Sequence, residues 1–491
     1  MKALILFLIM LFFTNNKVFN QEITINYFEQ EPPNEIAQIF APDFISKDGQ
    51  FVQNCCFSPD GKEFLYVLTD GFWSFSKIMY SKYTEGQWTI PDTISFSKDV
   101  VTSLVPFFSY DGQKIFFISN GRKGYNSADI WMSQRTENEW GEPERLNNKV
   151  NSENDEWEVS IAKNGNLYFS SDRPGGKGLF DIYKAEYNDG KYDTIKNLGF
   201  PINTNSADEC PYIAPDESFL IFNSWKTNEN FRGNNIYISY RKSDGGWTNP
   251  KDLGKAVNTD LLDIYPYITP DSGYIMFTRR EKSNDNDNYS HLYWIKNTII
   301  DSLKNTNFIP YVLNSTPVII AETGKEFVFQ IPENTFYDDD SDDTLTLSAV
   351  LTNGNDLPEW LHFNPVTNII TGTPVNSGFI NIQIIATDNE GESVSDNLFI
   401  NVKGTTGIEK NQNTVLQVSP NPVNDKINIS LNNSSVQKFN IQLFDITGNL
   451  ILTKNVYQEE SINIEEFNNG IYFLCANYNN VKSYVKVMIK K

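Results

Sequence analysis

Short apolar runs alternate with polar turns along most of this chain, and one such pattern is repeated. A copy of it begins at Phe107-Phe108, passes through an Asp111-Gly112 turn and continues in an apolar triplet that starts at Ile115. An Asp-Gly pair between two apolar runs predicts a β-hairpin, since both turn residues must take positive φ. A further apolar run starts at Asp129, after a glycine-rich loop. The pattern therefore predicts three consecutive antiparallel strands.

The same hairpin recurs at intervals of roughly fifty residues. Its turn dipeptides are Asp60-Gly61, Asp111-Gly112, Asn164-Gly165, Asp216-Glu217 and Asp271-Ser272. After a third strand, a fourth segment opens on an aromatic residue in the first four copies: Trp88, Trp140, Tyr192 and Trp247. Four strands in each unit of this length predict an all-β fold, a five-bladed β-propeller over residues 21–305. A six-bladed ring is the alternative, if residues 23–28 contribute a further strand.

The fifth copy stops after its third strand, near Trp294. We expect residues 36–45 to supply the missing fourth strand, because pairing the two ends of the domain removes open sheet edges. With Ser-Pro-Asp-Gly at residues 58–61 and Asp-Ile-Tyr at residues 181–183, the repeat resembles the TolB-like, WD-repeat-like β-propeller repeat. The resemblance covers about residues 30–300 and implies a fold, but hardly anything about function.

The first twenty residues have the features of a signal peptide. Lys2 precedes an apolar run that ends at Phe13, and polar residues follow it. This run is shorter than a bilayer span requires, so we predict a signal peptide at residues 1–20 that is removed before Gln21. No other run is long and apolar enough to span a membrane. The mature chain is therefore expected to have no transmembrane segment.

The repeat ends near residue 305, and short alternating runs over residues 314–403 predict a small Ig-like β-sandwich. Its Leu-Pro-Glu-Trp-Leu at residues 357–361, Thr-Gly-Thr-Pro at 371–374 and Ala-Thr-Asp at 386–388 resemble a dystroglycan-type cadherin-like domain. The resemblance implies a Ca²⁺ site with oxygen ligands from Glu333, Asp338, Asp340 and Asp388. The alternative is an acidic loop that only contacts water.

A polar linker at residues 404–414 leads to a last segment, residues 415–491, which is predicted to be a second small sandwich. Its four spaced motifs are Val-Ser-Pro-Asn-Pro at 418–422, Leu-Phe-Asp-Ile-Thr-Gly at 443–448, Gly-Ile-Tyr-Phe at 470–473 and a final Lys-Lys. They resemble the type A C-terminal sorting domain of the type IX secretion system. The resemblance implies that this machinery is a partner, that the protein is secreted or held at the outer-membrane surface, and that its source is a Bacteroidota-type bacterium.

Composition excludes several classes of protein. The net charge of −22 argues against nucleic acid as a partner, because a polyanion requires clustered basic residues. The four cysteines lack metal-ligand spacing, and only two histidines are present. No Ser-His-Asp set, phosphate-binding loop or zinc motif stands out. The residues therefore favour binding over hydrolytic or metal chemistry.

Charged residues recur at fixed positions in the propeller repeat. Eight residues before the turn stand Glu156, Asp208 and Asp263, near the start of the strand that should line the central channel. The loop between the second and third strands holds the basic residues Arg122, Arg173, Lys226 and Arg280. One interpretation is structural pairing between neighbouring blades. The other is a charged channel mouth that binds a polar ligand through Glu156, Asp208, Asp263, Arg122 and Arg173, with Trp157, Trp225 and Tyr265 nearby.

These features together predict an exported binding or adhesion protein that uses the propeller to recognise a protein or a glycan. In this interpretation the Ig-like domain is a spacer or adhesion module, and the tail is an export signal. Two alternatives stay open. One is a glycoside-active hydrolase built on a five-bladed propeller, and the other is a structural envelope component without a small ligand.

Overall fold

The structure is a computed structural model, and it describes most of the chain. The described residues are 23–71, 75–100, 102–125, 127–137, 139–225, 234–282, 288–340, 343–404, 416–419, 423, 426–431, 438–444, 450–457, 459–464, 467–478 and 481–490. The predicted signal peptide, nearly all of the 404–414 linker, Lys226 and parts of the first two tail motifs lie outside them. The chain forms two compact units, Met1–Thr306 and Asn307–Lys491.

The first unit consists of strands in the order that the repeat predicts, and consecutive strands within a repeat pair antiparallel. They are β1 (Gln38–Ile39), β2 (Phe51–Phe57), β3 (Glu63–Thr69), β4 (Ser76–Thr84), β5 (Gln87–Trp88), β6 (Asp92–Thr93), β7 (Leu104–Phe108), β8 (Lys114–Ser119), β9 (Asp129–Gln134), β10 (Glu144–Arg145), β11 (Glu156–Ile161), β12 (Leu167–Ser171), β13 (Asp181–Asn188), β14 (Lys191–Asn197), β15 (Asp208–Ile213), β16 (Phe219–Ser224), β17 (Asn235–Tyr240), β18 (Lys251–Asp252), β19 (Leu262–Ile268), β20 (Tyr274–Lys282) and β21 (Asn288–Lys296). Two 3-10 helices, Ser95–Ser97 and Arg122–Gly124, and the α-helix α1 (Ile299–Lys304) complete the described elements of this unit.

The first strand of each repeat lies against the first strand of the next repeat. Contacts run from β2 to β7, β11, β15 and β19, and β19 returns to contact β2, so these five strands surround a central channel. Strand β1 pairs with β21 through Gln38 opposite Trp294, which places the N-terminal segment beside the last repeat as expected. Residues 23–28, considered above as part of a sixth blade, contain no strand.

The second strand of each repeat is apolar on both of its faces. In β8 the triplet that begins at Ile115 is buried throughout, and in β16 the triplet that begins at Leu220 is fully buried. A strand in the middle of a blade packs against the neighbouring blade on each side, so both faces must be apolar. This burial explains why the apolar triplets recur without alternation.

The second unit contains two groups of strands. Strands β22 (Tyr311–Val312), β23 (Ile319–Glu322), β24 (Phe327–Gln330), β25 (Phe336–Tyr337), β26 (Thr346–Leu351), β27 (Leu361–Asn364), β28 (Ile369–Gly372), β29 (Gly378–Thr387) and β30 (Ser393–Lys403) belong to the first group. Strands β31 (Leu416–Ser419), β32 (Lys426–Leu431), β33 (Phe439–Phe444), β34 (Leu450–Val456), β35 (Glu459–Asn463), β36 (Gly470–Tyr478) and β37 (Val481–Ile489) belong to the second group.

Each group has its own sheets and its own apolar core. The first has a sheet in the order β23-β30-β29-β26 and a sheet in the order β24-β28-β27, with a core that includes Ile370, Ile384 and Leu398. The second has sheets β31-β32-β35 and β34-β33-β36-β37 around Ile429 and Ile441. The all-β prediction is confirmed. Within the described part of the chain, no helix is long and apolar enough to cross a bilayer.

Candidate functional site

The three recurring carboxylates lie inside the junctions between repeats. Glu156 and Asp208 are 0 % exposed and Asp263 is 1 % exposed. Each one accepts hydrogen bonds from the backbone N–H and the hydroxyl of a Ser or Thr four residues earlier, as Asp263 does from Thr259 at 2.8 and 2.7 Å. The same arrangement joins Glu156 to Ser152 and Asp208 to Thr204. These side chains therefore hold the connecting loops of their own repeats.

The basic residues of the predicted mouth are also engaged. Arg173 donates to Glu156 at 2.8 Å, and Arg279, rather than the expected Arg280, donates to Asp263 at 2.6 Å. Arg122 is buried, donates to the carbonyl oxygen of Phe96 and lies over aromatic rings. The five residues predicted to bind a ligand at the channel mouth thus form internal contacts within the propeller. The geometry supports their structural interpretation, with the correction that the ion pairs form within a repeat and not between blades.

The same loops share an apolar-Asn-Ser/Thr triplet that begins at Val150, Ile202 and Val257, and its asparagine has a structural role. Asn203 accepts from the backbone N–H of Ile182 at 2.8 Å and donates to its carbonyl oxygen at 2.9 Å. Asn151 and Asn258 make the same two bonds to Ile130 and Ile236. The triplet thus ties each loop to the start of a third strand, while the Ser or Thr that follows binds the carboxylate.

A different position of the repeat faces the channel. Six residues before each turn, the first strand contains a bulge at which a non-glycine residue takes positive φ: Asn54, Val105, Glu158, Cys210 and Tyr265. A bulge adds a residue to one strand and redirects its side chain, and bulges are common next to functional sites. These five residues line one small chamber of about 10 Å³ in the channel. That volume holds about one water molecule.

Two carboxyl groups occupy this part of the channel. Glu158 is 8 % exposed, accepts a hydrogen bond from Ser170 and contacts Cys210. Burial, followed by the charge of Glu209, raises the pKa of Glu158 to about 8. Burial also raises the pKa of Glu209, although a hydrogen bond from Trp225 opposes that shift. The pKa of each acid is thus raised, because burial and a neighbouring negative charge both disfavour the ionised form.

Glu209 marks the accessible end of this pair. It is only partly buried, and the indole N–H of Trp225 donates to its carboxylate at 2.7 Å. Trp225 itself is 43 % exposed. Asn234 approaches the same carboxylate oxygen through its amide nitrogen at 3.5 Å, and it is 1 % exposed. Glu209, Trp225 and Asn234 thus form a polar cluster whose acid acts electrostatically on Glu158, and we call these four residues the acid rim.

The channel widens at the face that carries the Asp-Gly turns. A cavity of about 270 Å³ there is lined by Phe107, Tyr110, Tyr212 and Tyr267 among other residues, with Lys163 at its edge. Phe107 and Tyr267 also line the small chamber, so they form the waist between the two spaces. Their rings lie 6.1 Å apart in an edge-to-face arrangement. This aromatic waist separates the cavity from the acid rim.

A second acidic cluster lies in the Ig-like domain. Carboxylate oxygens of Asp338, Asp340 and Asp343 lie within 4.8 Å of one another, and so do those of Asp343, Asp388 and Glu390. Burial and the charges of Asp340, Asp343 and Asp388 raise the pKa of Asp338 to about 6. One oxygen each of Asp338 and Asp343 is buried without a hydrogen-bond partner. An all-oxygen set with unpaired buried atoms fits the ligand preference of Ca²⁺.

The structure thus brings together three of the four predicted calcium ligands, Asp338, Asp340 and Asp388. It also adds Asp343 and Glu390, which the sequence reasoning did not select. Glu333 does not belong to either described cluster and instead lines a cavity of about 490 Å³ beside Ile331 and Phe336. Glu333 is exposed and directly follows Pro332.

Two family models match the second unit of the chain. Residues 310–403 match the family described as "Putative Ig domain", and residues 417–490 match the secretion system C-terminal sorting domain. The tail is a type IX sorting domain. The protein is therefore directed to the cell surface or the outer membrane by the type IX route. The Ig-like assignment is confirmed, whereas the narrower dystroglycan-type cadherin-like label stays a prediction.

Solved structures resemble the chain only distantly. A "putative TolB" from Agrobacterium tumefaciens is 14 % identical with a TM-score of 0.34, over 50 % of this chain and 90 % of that one. A glycoside hydrolase is 12 % identical with a TM-score of 0.36, over 55 % and 93 %. The catalytic domain of an α-L-arabinofuranosidase from Coprinopsis cinerea is 11 % identical with a TM-score of 0.35, over 53 % and 97 %. At these scores the likenesses say nothing about what this chain binds. No curated protein matches the chain.

The sorting domain was recognisable from its motifs, but the acid rim was not. The five bulged residues of the channel share no chemistry, so no repeated letter marks their position. The recurring acids were predicted to bind a ligand because they stand at the same position of the repeat. The structure shows that they stand there because they hold the loops of their repeats. An acid that occurs once in a repeated strand, such as Glu158, was the available signal.

Proposed function

We propose that this protein is a ligand-binding or adhesion protein of the bacterial surface, and that its propeller captures a protein or glycan ligand at the acid rim. One observation carries the proposal: the acid rim combines a partly buried carboxylate, Glu209, with a tryptophan, Trp225, that it holds by a hydrogen bond and that stays 43 % exposed. Exposed aromatic and charged residues on a rigid scaffold favour recognition of a partner.

The sorting domain supports the location of this activity, because it delivers the propeller to the outside of the cell. The Ig-like domain would then serve as a spacer or a second adhesion module. Ca²⁺ held by Asp338, Asp340, Asp343 and Asp388 would neutralise the mutual repulsion of these carboxylates and order their loop. The cation would have a structural role there, and the binding step itself uses residues of the propeller.

The alternative is a glycoside hydrolase, and one observation favours it. A general acid must hold a proton near the working pH, and burial raises the pKa of Glu158 to about 8. However, the chamber beside Glu158 has a volume of about 10 Å³, too small for a sugar ring. The chain therefore supports capture of a ligand better than it supports cleavage of a glycan.

The experiment that tests the proposal is a glycan and peptide array probed with the purified mature chain. We expect selective binding that Trp225→Ala weakens, with Trp88→Ala as a matched variant at a tryptophan outside the rim. Release of sugar from any bound glycan, abolished by Glu158→Gln, would replace the proposal by the hydrolase. Uniform absence of binding on both arrays would contradict a recognition role for the propeller.

A further inference from the structure

One position of the propeller repeat encircles the cavity on the face that carries the turns. In all five repeats the residue directly before the turn dipeptide lines this cavity, and we call these residues the collar: Pro59, Tyr110, Lys163, Pro215 and Pro270. The N–H of Gly61 donates to the carbonyl oxygen of Ser58 at 2.8 Å, so Pro59 is the second residue of a four-residue turn, a position that proline favours. The same turn forms with Tyr110 and with Lys163 in its place. The turn therefore accounts for the three prolines but not for these two residues.

Three aromatic rings form the floor of the cavity. Phe107, Tyr212 and Tyr267 are at most 9 % exposed, and their ring centroids lie 5.7 to 6.2 Å apart. The hydroxyl of Tyr267 accepts from the backbone N–H of Phe57 at 3.1 Å, so this phenol is already engaged and offers the cavity its ring. A further ring placed on this floor would extend the edge-to-face cluster, which stabilises a complex beyond the burial of apolar area.

The size and the collar select a compact apolar ligand. An apolar cavity of roughly 150 Å³ is enough to bind benzene. The cavity of about 270 Å³ therefore admits one ring with a short substituent. A sugar ring carries hydroxyls on several sides, and each needs a partner when it leaves water. The three prolines of the collar have no N–H to donate. The cavity thus favours an apolar ring over a sugar.

The other two residues of the collar supply a proton donor and a positive charge. The phenols of Tyr110 and Tyr212 share one hydrogen bond, which uses only one of their two protons, and burial raises the pKa of both phenols. Both therefore stay protonated at neutral pH. The backbone N–H of Lys163 donates to the carbonyl oxygen of Pro215 at 2.8 Å, which fixes this exposed lysine at the edge of the cavity. A carboxylate is a group that can accept from an ammonium and a phenol together.

One negative charge acts on the same phenols. The charge of Asp216 contributes to the raised pKa values of Tyr110 and Tyr212. Asp216 is exposed and accepts a hydrogen bond from the N–H of Ser218 at 3.0 Å. Water and salt screen exposed charges, so Asp216 lowers the affinity of the cavity for an anion only weakly.

We propose that this cavity is a second ligand site and that it binds a small aromatic carboxylate. The ring lies on the floor of Phe107, Tyr212 and Tyr267, and the carboxylate accepts from the ammonium of Lys163 and the phenol of Tyr110. The inference goes beyond the proposed function, because it uses none of the residues of the acid rim.

The test is a ligand-observed NMR titration of the full mature chain with 3-phenylpropionate, its neutral analogue 3-phenylpropionamide, and propionate, which lacks the ring. We expect a dissociation constant of about 0.1 to 1 mM for 3-phenylpropionate, given its size. The amide should bind about fivefold more weakly, the effect of one partly exposed ion pair, and propionate should not bind measurably. Lys163→Gln should weaken binding of the acid about fivefold and leave that of the amide unchanged. Tyr110→Phe should weaken binding of the acid about threefold.

The matched control is Lys255→Gln, at an exposed lysine in the loop after β18, which changes the net charge equally and should leave both affinities unchanged. Circular dichroism checks that each variant is folded. Equal affinities for the acid and the amide, an unaltered affinity for the acid in a folded Lys163→Gln variant, or no binding of 3-phenylpropionate at millimolar concentration would overturn the site. Tighter binding of the peptide N-acetylglycyl-phenylalanine would assign the cavity to a peptide end and overturn the small-molecule ligand. Trp225→Ala, which tests the acid rim, should not alter these affinities, so the two sites stand or fail separately.

Discussion

At the scale of single residues, the acids of the repeat have two different roles. Glu156, Asp208 and Asp263 accept hydrogen bonds from their own loops and are fully buried, so they stabilise the connection between one repeat and the next. Glu158 differs because a bulge redirects its side chain into the channel, and Glu209 directly precedes the bulge residue Cys210. The first group therefore holds loops of the fold, whereas Glu158 lines a chamber of the channel and Glu209 lies beside an exposed tryptophan.

The structural role of the first group predicts an effect on stability. Asp263→Asn removes the charge that Arg279 contacts at 2.6 Å and should lower the free energy of unfolding by roughly 2 to 3 kcal/mol. Urea unfolding followed by circular dichroism measures the change. The control is Asp260→Asn, an exposed aspartate in the same loop, for which we expect no measurable loss. Equal stability of the two variants would contradict the loop-holding role.

The acidic cluster of the Ig-like domain predicts a pH-dependent response to Ca²⁺. Because the pKa of Asp338 is raised to about 6, its contribution to stability is present at low pH and is lost as pH rises through about 6. Millimolar Ca²⁺ should restore that loss and raise the melting temperature at pH 7.5, but not at pH 5, where the proton competes. Asp338→Asn should remove the response, and Asp356→Asn, at an exposed loop position, should keep it. An unchanged melting temperature at pH 7.5 would reject the calcium site.

At the scale of elements, the strand that joins the two ends of the propeller, β1, is very short. Only Gln38 and Ile39 pair with β21, so backbone hydrogen bonds alone cannot account for this junction. The next residue, Phe40, is fully buried and its ring lies 5.2 Å from that of Trp294 and 5.5 Å from that of Phe64. Aromatic packing between the first and last repeats therefore provides much of the closure.

This closure predicts the effect of removing the N-terminal segment. Deletion of residues 21–46 should expose the edge of β21, abolish cooperative unfolding and cause aggregation. Phe40→Ala should destabilise the intact chain by roughly 3 to 5 kcal/mol, whereas Ile36→Ala, at an exposed position, should have little effect. Size-exclusion chromatography and thermal unfolding measure both. A monomeric deletion variant with an unchanged melting temperature would show that the ring closes in another way.

At the scale of the whole molecule, export and charge support the same activity. The sorting domain directs the chain to the surface, and a net charge of −22 attracts cationic ligands and repels nucleic acid. Such steering acts on the rate of encounter and is screened by salt, whereas the acid rim would provide the specific contact. Capture by this protein is therefore expected to slow as the ionic strength rises.

The tail predicts the location of a truncated chain. Deletion of residues 415–491 should leave the protein in the periplasm, because the segment that the secretion machinery recognises is gone. Cell fractionation and protease treatment of intact cells measure the location, and the full chain is the control. Surface export of the truncated chain at the normal level would contradict a sorting role for this segment.

The sequence by itself determined the strands, their order and the export of the protein. Asp-Gly turns, apolar triplets and tail motifs are local features. They reflect local backbone preferences and the burial of both strand faces, so neighbouring residues are enough to recognise them. Tertiary structure decided which acids hold the loops and which one lines the channel. Glu156 and Glu158 are two residues apart, and strict alternation would place them on the same face of β11, but the bulge at Glu158 separates their environments. Which groups surround a carboxylate depends on loops and strands distant in the chain, so no pattern of neighbouring residues could distinguish the two.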